Sequence, residues 1–157
     1  MKISEMLSGN AINVDLKATD KEGIIEELVD LLVSSGSIKK AQKEEILSKL
    51  KEREVLGSTG IGKGVGIPHA KSKSVKKMIA AFGVSKKGVD FKSLDGSPAN
   101  IFFLLIAPGE TPGPHLKALA KISRLLDDKF IRERLRSAAS TKEAIKIMID
   151  EEQKAAQ

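Results

Sequence analysis

The chain has 157 residues, of which 41% are hydrophobic and 31% charged, a profile typical of one globular domain. It contains no cysteine, which excludes disulfides, thiolate metal sites and a catalytic or phosphate-carrying thiol. Lysine and arginine outnumber aspartate and glutamate by 27 to 21, giving a net charge of +6, but tryptophan and tyrosine are absent and only five phenylalanines are present. Because little material exists for stacking on bases, we expect a solvated lysine- and glutamate-rich surface and no nucleic-acid partner.

The longest unbroken apolar run, residues 101–107, is too short to span a membrane. The first ten residues contain no apolar stretch of the kind that follows the start of a secretory signal. We therefore expect a cytoplasmic protein without direct membrane insertion. No internal repeat or linker divides the chain, which predicts one domain over 1–150 and a polar C-terminal tail over 151–157.

A short strand and two helices are predicted first. Alternating apolar and polar residues over 12–18 predict the strand. Thr19 and Glu22 have the spacing of a capping box, which predicts the start of a helix that ends at Gly36. A second helix is predicted to end near Arg53, with an inward face formed by Ala41, Ile46, Leu47 and Leu50.

Two β-type runs, 78–85 and 100–107, are predicted to be strands, with a turn at 95–98 between their flanks. The second run is apolar from 101 to 107, as expected of a central strand that is covered on both faces. The segment 108–114, rich in proline and glycine, is predicted to be a rigid loop.

Three helices are predicted in the last third of the chain. A short one lies around 128–136, and Ser140 with Glu143 forms a capping box for a final helix through Ile149. The first of the three begins at His115, with an inward face formed by Leu116, Leu119, Ala120 and Leu126. Together these elements predict a mixed sheet with helices on both faces.

The glycine-rich segment 57–64, GSTGIGKG, is one residue away from the phosphate-binding pattern G-x-x-x-x-G-K-[ST]. Gly64 stands at the position where the pattern needs a hydroxyl group to hold magnesium. That loop should also follow a buried strand and open a helix, whereas the polar segment 49–56 precedes this one and Pro68 comes soon after it. A nucleotide site is therefore not favoured.

The sequence contains two histidines, His69 and His115. A single histidine is more often a surface residue or a satisfied core residue. Here Pro68 favours an extended Ile67, which predicts His69 on a strand or strand end, and the preceding glycines let a protein backbone or a phosphoryl group come close. His115 is predicted at a helix start, where N–H groups and the helix dipole favour an anion. Neutral imidazole is a nucleophile near pH 7, so the pair suits phosphoryl transfer.

Other candidate contacts precede His69. Arg53 is the nearest guanidinium that could bind phosphate oxygens, and the alternative is a solvated arginine between two glutamates at a helix end. Ser58 and Thr59 could donate hydroxyl groups to a phosphate or form a turn; with Gly60 they are the candidate phosphate-binding residues. A metal site is not favoured without cysteine or helical i,i+4 histidine spacing, and a serine hydrolase is not favoured without a G-x-S-x-G motif. No cofactor is expected.

The stretch 53–71, REVLGSTGIGKGVGIPHAK, resembles the active-site signature of a known family. This is the fructose/mannitol-type (type 2) enzyme IIA of the bacterial phosphoenolpyruvate-dependent sugar phosphotransferase system, including its nitrogen-regulatory branch. The resemblance extends over nearly the whole chain, through AINVDL (11–16), SLDGSPANIFFLLIAP (93–108) and HLKALAKISRLL (115–126). It implies an α+β fold, a three-layer α/β/α sandwich on a mixed β-sheet, in agreement with the predicted elements.

The resemblance also implies roles for individual residues. The family's phosphoacceptor histidine falls on His69, its second active-site histidine on His115 and its active-site arginine on Arg53. The implied donor is a histidine-containing phosphocarrier protein, which phosphorylates His69 on Nε2. The implied acceptor is a cysteine of an enzyme IIB, unless the phosphorylation state itself acts as a signal to a regulatory target protein. The glycine segment then presents a histidine in a phosphotransferase component.

Two alternatives stay open. Sugar transport and nitrogen regulation are nearly balanced, and regulation is slightly favoured because GSTGIG in an otherwise bare domain is common in that branch. The competing function is a non-catalytic regulatory binding module of the same fold; the intact Arg53, His69 and His115 argue against it. The net basic charge departs from the family, in which a basic carrier usually meets a more acidic partner, so docking is expected to depend on apolar contact and local acidic residues.

Overall fold

The structure is a computed structural model and describes residues 1–7, 10–110 and 112–155. A single turn of 3-10 helix, Lys40–Gln42, leads into the third α-helix. Within these ranges the elements follow in the order α1 (Ile3–Met6), β1 (Ile12–Asn13), α2 (Lys21–Ser34), α3 (Lys43–Val55), β2 (Gly60–Gly62), β3 (Val65–Gly66), β4 (His69–Ser72), β5 (Ile79–Val89), β6 (Ala99–Pro108), α4 (Pro112–Asp127), α5 (Lys129–Arg136) and α6 (Thr141–Ala155).

The strands form one mixed sheet in the order β1-β5-β6-β3-β2, and β4 also pairs with β6. The long strands β5 and β6 are antiparallel and confirm the two predicted strands, although β5 continues beyond residue 85 to Val89. β3 and β4 both run parallel to β6, with Gly66 opposite Phe102 and His69 opposite Leu105. The two short strands therefore follow one another along one edge of β6, and the break between them lies directly before His69.

Helices cover both faces of the sheet, as predicted. Successive residues of β6 enter opposite apolar cores, because side chains alternate between the faces of a strand. Ile101, Phe103 and Leu105 pack with α1, α4, α5 and α6, whereas Phe102, Leu104 and Ile106 pack with α2 and α3. The residues 101–107 are all buried, as expected of a strand covered on both sides.

The first predicted strand, 12–18, is too long. Only Ile12–Asn13 pairs with β5. The Asn13 side-chain oxygen accepts a hydrogen bond from Asp15 N at 2.8 Å, which interrupts the ladder before Leu16 N donates to the carbonyl oxygen of Val84 in β5.

The predicted cap of the first long helix is wrong by one residue. Glu27 accepts hydrogen bonds from Lys17 N and Ala18 N, which holds the segment before α2 outside the helix. Asp20 is the N-cap instead of Thr19, and its carboxylate accepts a hydrogen bond from Gly23 N at 2.7 Å. The predicted end of this helix at Gly36 is confirmed.

The inward faces of two helices differ in part from the prediction. Ala41 is exposed, because it lies in the 3-10 turn before α3. In α4, Leu116 and Ala120 are exposed and Leu119 is partly buried. The helix begins three residues before the predicted start, and its buried stripe consists of His115, Ala118, Ile122, Leu125 and Leu126.

The predicted loop 108–114 is wrong at both ends. β6 continues to Pro108, and Pro112 already belongs to α4. Prolines are tolerated in a first helical turn because its N–H groups have no helical acceptor. Thr111, within the predicted loop, lies outside the described residues.

The last helix begins as predicted, with Ser140 Oγ accepting a hydrogen bond from Glu143 N at 3.1 Å. It continues to Ala155 instead of ending at Ile149. Residues 156 and 157 of the predicted tail lie outside the described part of the chain, and the division at 150 stays a prediction. Among the described helices, none combines the length and the apolar character that crossing a membrane requires.

Candidate active site

His69 is the first residue of β4 and is half-buried. Its Nδ1 lies 2.7 Å from the carbonyl oxygen of Ile67. Since a carbonyl oxygen can only accept a hydrogen bond, this contact assigns the proton to Nδ1 and leaves the lone pair on Nε2. The neutral ring is therefore held in one tautomer, with Nε2 as its nucleophilic atom.

The surroundings of His69 keep its imidazole neutral. Burial is the largest cause and lowers its pKa below the ordinary histidine value, while the hydrogen bond to Ile67 raises it in part. The positive charge of Arg53 lowers the pKa further, and the negative charge of Glu54 opposes that effect. Because the net shift is downward, the nucleophilic form is present at neutral pH.

His115 lies in the first turn of α4 and is only 6% exposed. Its ring stands edge-on to that of His69, with the centroids 5.6 Å apart and the planes at 73°. Burial lowers the pKa of His115, and the charge of Lys71 and the charge that His69 carries when protonated lower it further. Its buried Nε2 has no hydrogen-bond partner among the described residues. Since such an atom costs about 1–3 kcal/mol, it marks a place where a ligand oxygen would be favourable.

The start of α4 offers fewer free N–H donors than the sequence suggested. Pro112 and Pro114 occupy the first and third positions of the helix and carry no N–H group. The side chain of His115, more than the backbone at this helix end, is therefore the group that α4 contributes to the site.

Arg53 lies in the last turn of α3, and its NH1 donates a hydrogen bond to the carbonyl oxygen of Gly57 at 2.8 Å. The contact holds the guanidinium against the glycine segment. The positive charge of Arg53 lowers the pKa of His69. A guanidinium has five N–H donors in one plane, so this single bond leaves donors for an anion. The structure thus brings Arg53, His69 and His115 to one region.

The glycine segment follows helix α3 and enters strand β2, so it lacks the strand-to-helix context of a nucleotide loop. Gly62 and Gly64, with φ of +95° and +80°, turn the chain between β2 and β3. A side chain at Gly60 would place its Cβ 2.5 Å from Ser93 Oγ and 2.9 Å from Ser93 Cα. These glycines therefore serve a tight hairpin and a close backbone approach.

The hydroxyl groups of Ser58 and Thr59 are engaged within the loop. Ser58 Oγ donates to the carbonyl oxygen of Phe91 at 2.7 Å and accepts from Gly60 N at 3.0 Å. Thr59 is buried, and its Oγ1 donates to Glu54 Oε2 at 2.7 Å. The structure places all three candidate phosphate-binding residues before the strand that carries His69, and their contact with phosphate stays a prediction.

Sequence reasoning missed two residues beside the site. Glu54 forms an ion pair with Lys21, whose Nζ lies 2.8 Å from Glu54 Oε1. Glu54 is the next residue after Arg53 in the sequence, but this position suggested a solvated helix end and not a residue of the site. Lys21 lies far from the signature in sequence and comes close only because α2 packs beside α3.

Exposed apolar side chains accompany the site residues along the chain; we name this group the apolar rim. Leu56 is 83% exposed and follows the end of α3, and Leu116 is the neighbour of His115. Leu94 N donates to the carbonyl oxygen of Gly60 at 3.0 Å, which places Leu94 beside β2. The apolar rim consists of Val55, Leu56, Ile61, Leu94 and Leu116.

Among the described residues, no group of three or more histidine, aspartate or glutamate side chains could hold a metal ion.

The fold and the site define a class: an α/β domain that holds two interacting imidazoles, one of them with a free nucleophilic nitrogen. The sequence model of the family described as "Phosphoenolpyruvate-dependent sugar phosphotransferase system, EIIA 2" matches residues 5–151. The chain belongs to this family, and the resemblance found in its sequence is confirmed.

Relatives include transport components and regulators. The chain is 42% identical over 150 residues to the fructose-specific EIIABC component of the PTS system from Bacillus subtilis strain 168, covering 94% of this chain and 23% of that protein. It is 38% identical over 138 residues to the fructose-specific EIIA component from Haloferax volcanii, covering 88% of each chain. It is 36% identical over 138 residues to the nitrogen regulatory protein from Bradyrhizobium diazoefficiens, again covering 88% of each. The chain thus spans under a quarter of the first relative.

Solved structures have the same fold. The nitrogen regulatory protein IIA-Ntr from Neisseria meningitidis has a TM-score of 0.84 and 34% identity, covering 93% of this chain and 98% of that chain. The IIA mannitol structure from Escherichia coli has a TM-score of 0.74 and 24% identity, covering 88% of this chain and 96% of that chain, and shows likeness of fold alone.

Proposed function

We propose that this chain is a phosphohistidine carrier. It accepts a phosphoryl group on His69 Nε2 from a histidine-containing phosphocarrier protein. It then passes the group to a cysteine of an enzyme IIB or uses it as a signal to a regulatory target. The observation that carries the proposal is the hydrogen bond between His69 Nδ1 and the carbonyl oxygen of Ile67, because it leaves Nε2 as the nucleophile.

The transfer needs no proton at the reacting nitrogen. The Nε2 lone pair forms a bond to phosphorus while the donor's N–P bond breaks, and the donor imidazole takes that electron pair. His69 keeps its Nδ1 proton, which it donates to the carbonyl oxygen of Ile67, so the ring carries a positive charge while the phosphoryl group is bound. In the second step a thiolate attacks phosphorus, the bond to Nε2 breaks, and His69 leaves as the same neutral tautomer. Phosphoryl transfer of this kind depends mainly on positioning and charge stabilisation.

His115 and Arg53 supply the stabilisation. The unpartnered Nε2 of His115 belongs to a ring whose centre lies 5.6 Å from that of His69, and we expect this nitrogen, in the tautomer that carries its proton, to donate to a phosphoryl oxygen on His69. The guanidinium of Arg53 adds a positive charge and planar donors. Preorganised donors of this kind stabilise the negative charge of the phosphoryl group in the transition state, and they need no rearrangement during the transfer.

The partner of such a site is a protein, and the apolar rim supports this view. The cavity of about 520 Å³ between α1, α4 and α6 is lined by neither histidine. Instead, exposed leucines accompany the site residues, as in protein interfaces with an apolar centre. We propose that both donor and acceptor dock on the apolar rim, each presenting its own reactive group to His69.

The relatives include fructose components and nitrogen regulatory proteins at similar identity, so the comparisons favour neither role over the other. Of the two roles, the regulatory one is slightly favoured by the sequence and stays a proposal. The alternative is a binding module without chemistry. A neutral, tautomer-fixed His69 beside an unpartnered buried nitrogen supports the carrier instead.

Labelling tests the proposal directly. The protein is incubated with phosphoenolpyruvate and the general phosphotransfer proteins, and phosphate is located by mass spectrometry. We expect one acid-labile, alkali-stable phosphate on His69 and none on His69→Ala. Ser58→Ala serves as the matched control, since it removes a nearby hydroxyl but keeps the nucleophile. Acid-stable phosphate on Ser58 or Thr59 would contradict the assignment.

A second experiment tests docking. Leu56→Asp should slow transfer from the phosphorylated carrier at low carrier concentration, because a buried charge opposes an apolar contact. Phe130→Asp is the control: Phe130 is 66% exposed but lies on α5, which carries no site residue. Equal effects of the two substitutions would contradict docking on the apolar rim. Adding enzyme IIB then tests acceptance of the phosphoryl group by a cysteine.

A further inference from the structure

We propose that the partly buried ion pair between Lys21 and Glu54 positions His69 for phosphoryl transfer and balances the charge beside it. This inference rests on the phosphoryl-carrying role proposed for His69. It assigns both residues as positioning residues, since neither is bonded to the reacting ring.

The ion pair is largely withdrawn from water. Lys21 opens α2, and Glu54 lies in the last turn of α3; their side chains are 19% and 11% exposed. Besides Glu54, Lys21 Nζ lies 3.2 Å from Ser58 Oγ, 3.3 Å from the carbonyl oxygen of Phe91 and 4.7 Å from the centre of the Phe91 ring. Since burying an ion pair contributes little net stability, its presence beside a reactive histidine calls for another explanation.

A continuous chain of hydrogen bonds joins the ion pair to the imidazole. Glu54 accepts from Thr59 N at 3.1 Å and from Thr59 Oγ1 at 2.7 Å. The carbonyl oxygen of Thr59 accepts from Ile67 N at 3.0 Å. The carbonyl oxygen of Ile67 accepts from His69 Nδ1 at 2.7 Å. The carboxylate therefore fixes the peptide segment that selects the tautomer of His69.

The same carboxylate would oppose a phosphoryl group unless its charge were balanced. The charged and titratable groups whose fields act on His69 are Arg53 and Glu54 from α3, and His115 from α4 is coupled to it. Glu54 acts in the direction that raises the pKa of His69. Lys21, the first residue of α2, forms an ion pair with that carboxylate. Glu54 can therefore hold Thr59 by hydrogen bonds without repelling an incoming phosphoryl group.

Substitution of Lys21 tests the inference. In Lys21→Met, Glu54 is left without its cation; we expect transfer from the phosphorylated carrier to slow by between about tenfold and about a hundredfold, the range for small misplacements. We also expect the pKa of His69, followed by NMR on the unphosphorylated protein, to rise. Lys21→Arg keeps the charge and should recover most of the rate.

Lys43→Met is the matched control. Lys43 is also partly buried, at 22% exposed, and pairs with Glu26 and Asp30, but no site residue contacts it. This variant should leave both the transfer rate and the pKa of His69 unchanged. An equal slowing in Lys43→Met would overturn the inference, because the effect of Lys21 would then be one of general stability.

Glu54→Gln provides an independent arm if Lys21→Met does not fold. It keeps the shape and a hydrogen-bond acceptor for Thr59 but removes the charge, so the pKa of His69 should fall, the reverse of the Lys21→Met result. An unchanged value in Glu54→Gln, or an unchanged rate and pKa in folded Lys21→Met, would overturn the proposal. A wild-type protein that accepts no phosphoryl group overturns the proposed function instead, and the pKa measurements still test the electrostatic coupling.

Discussion

His115→Ala separates catalysis from stability. The substitution removes a buried ring whose Nε2 has no hydrogen-bond partner among the described residues. Losing the ring removes packing, but it also removes an unsatisfied polar atom that costs about 1–3 kcal/mol, so the two contributions to the free energy of unfolding oppose each other. We expect a net change within about 2 kcal/mol.

The transfer rate should change far more. Removing one preorganised donor to a developing oxyanion costs about 3 kcal/mol, which corresponds to roughly a hundredfold in rate. Quenched-flow measurement of transfer from the phosphorylated carrier gives this rate, and chemical denaturation of the same variant gives the stability. His115→Asn, which keeps a donor, should recover part of the rate.

A transfer rate of His115→Ala within a few-fold of the wild-type rate would refute the reasoning, because the ring would then serve only packing. A large loss of stability with no specific loss of rate would lead to the same conclusion.

Three further predictions follow from the same geometry. Arg53→Ala should slow phosphoryl transfer at least as much as His115→Ala, with the phosphate still found on His69. Arg53→Lys should recover only part of the transfer rate because lysine lacks the planar group of donors. Rapid mixing with the phosphorylated carrier measures both rates. Because burial lowers the pKa of His69, the transfer rate should be unchanged at pH 7 and decline only below the ordinary pKa of histidine. The part of the folding stability that depends on a neutral His69 is likewise lost as pH falls through the lowered pKa. A pH–rate profile with its midpoint above the pKa of a free histidine would contradict this prediction. Gly60→Ala should destabilise the fold by about 1–3 kcal/mol, since its Cβ would meet the backbone of Ser93; thermal unfolding at an unchanged midpoint would show that the loop can move away.

Much of the fold follows from local pattern. The apolar runs of β5 and β6 and the faces of α2 and α3 are set by burial, which sequence periodicity reports directly. The errors have local causes as well. Asp20 caps α2 instead of Thr19 because Glu27, in the second turn of the helix, accepts hydrogen bonds from the N–H groups of Lys17 and Ala18. Such a tertiary contact cannot be seen in a short window of sequence.

The structure brings the predicted candidates Arg53, His69 and His115 to one region, but the sequence predicted neither their arrangement nor the nearby pair Lys21 and Glu54. Leu116 fits the apolar face of a helix by composition, yet it is exposed beside His115. Periodicity shows that a residue is apolar, but it does not show whether the fold buries that residue. Similarly, nothing in the spacing of the two histidines shows that the rings meet. Their approach depends on β4 pairing with β6 in parallel and on α4 starting just after β6.

Pro68 explains why a strand break and a reactive histidine occur together. Proline has no N–H group to donate to a ladder, so the pairing along β6 is interrupted between Gly66 and His69. The carbonyl oxygen of Pro68 still accepts from Leu105 N at 3.0 Å, which keeps the chain against β6. Ile67 lies outside both short strands, and its carbonyl oxygen accepts the Nδ1 proton of His69. One residue without an amide hydrogen thus gives the imidazole its acceptor and its free Nε2.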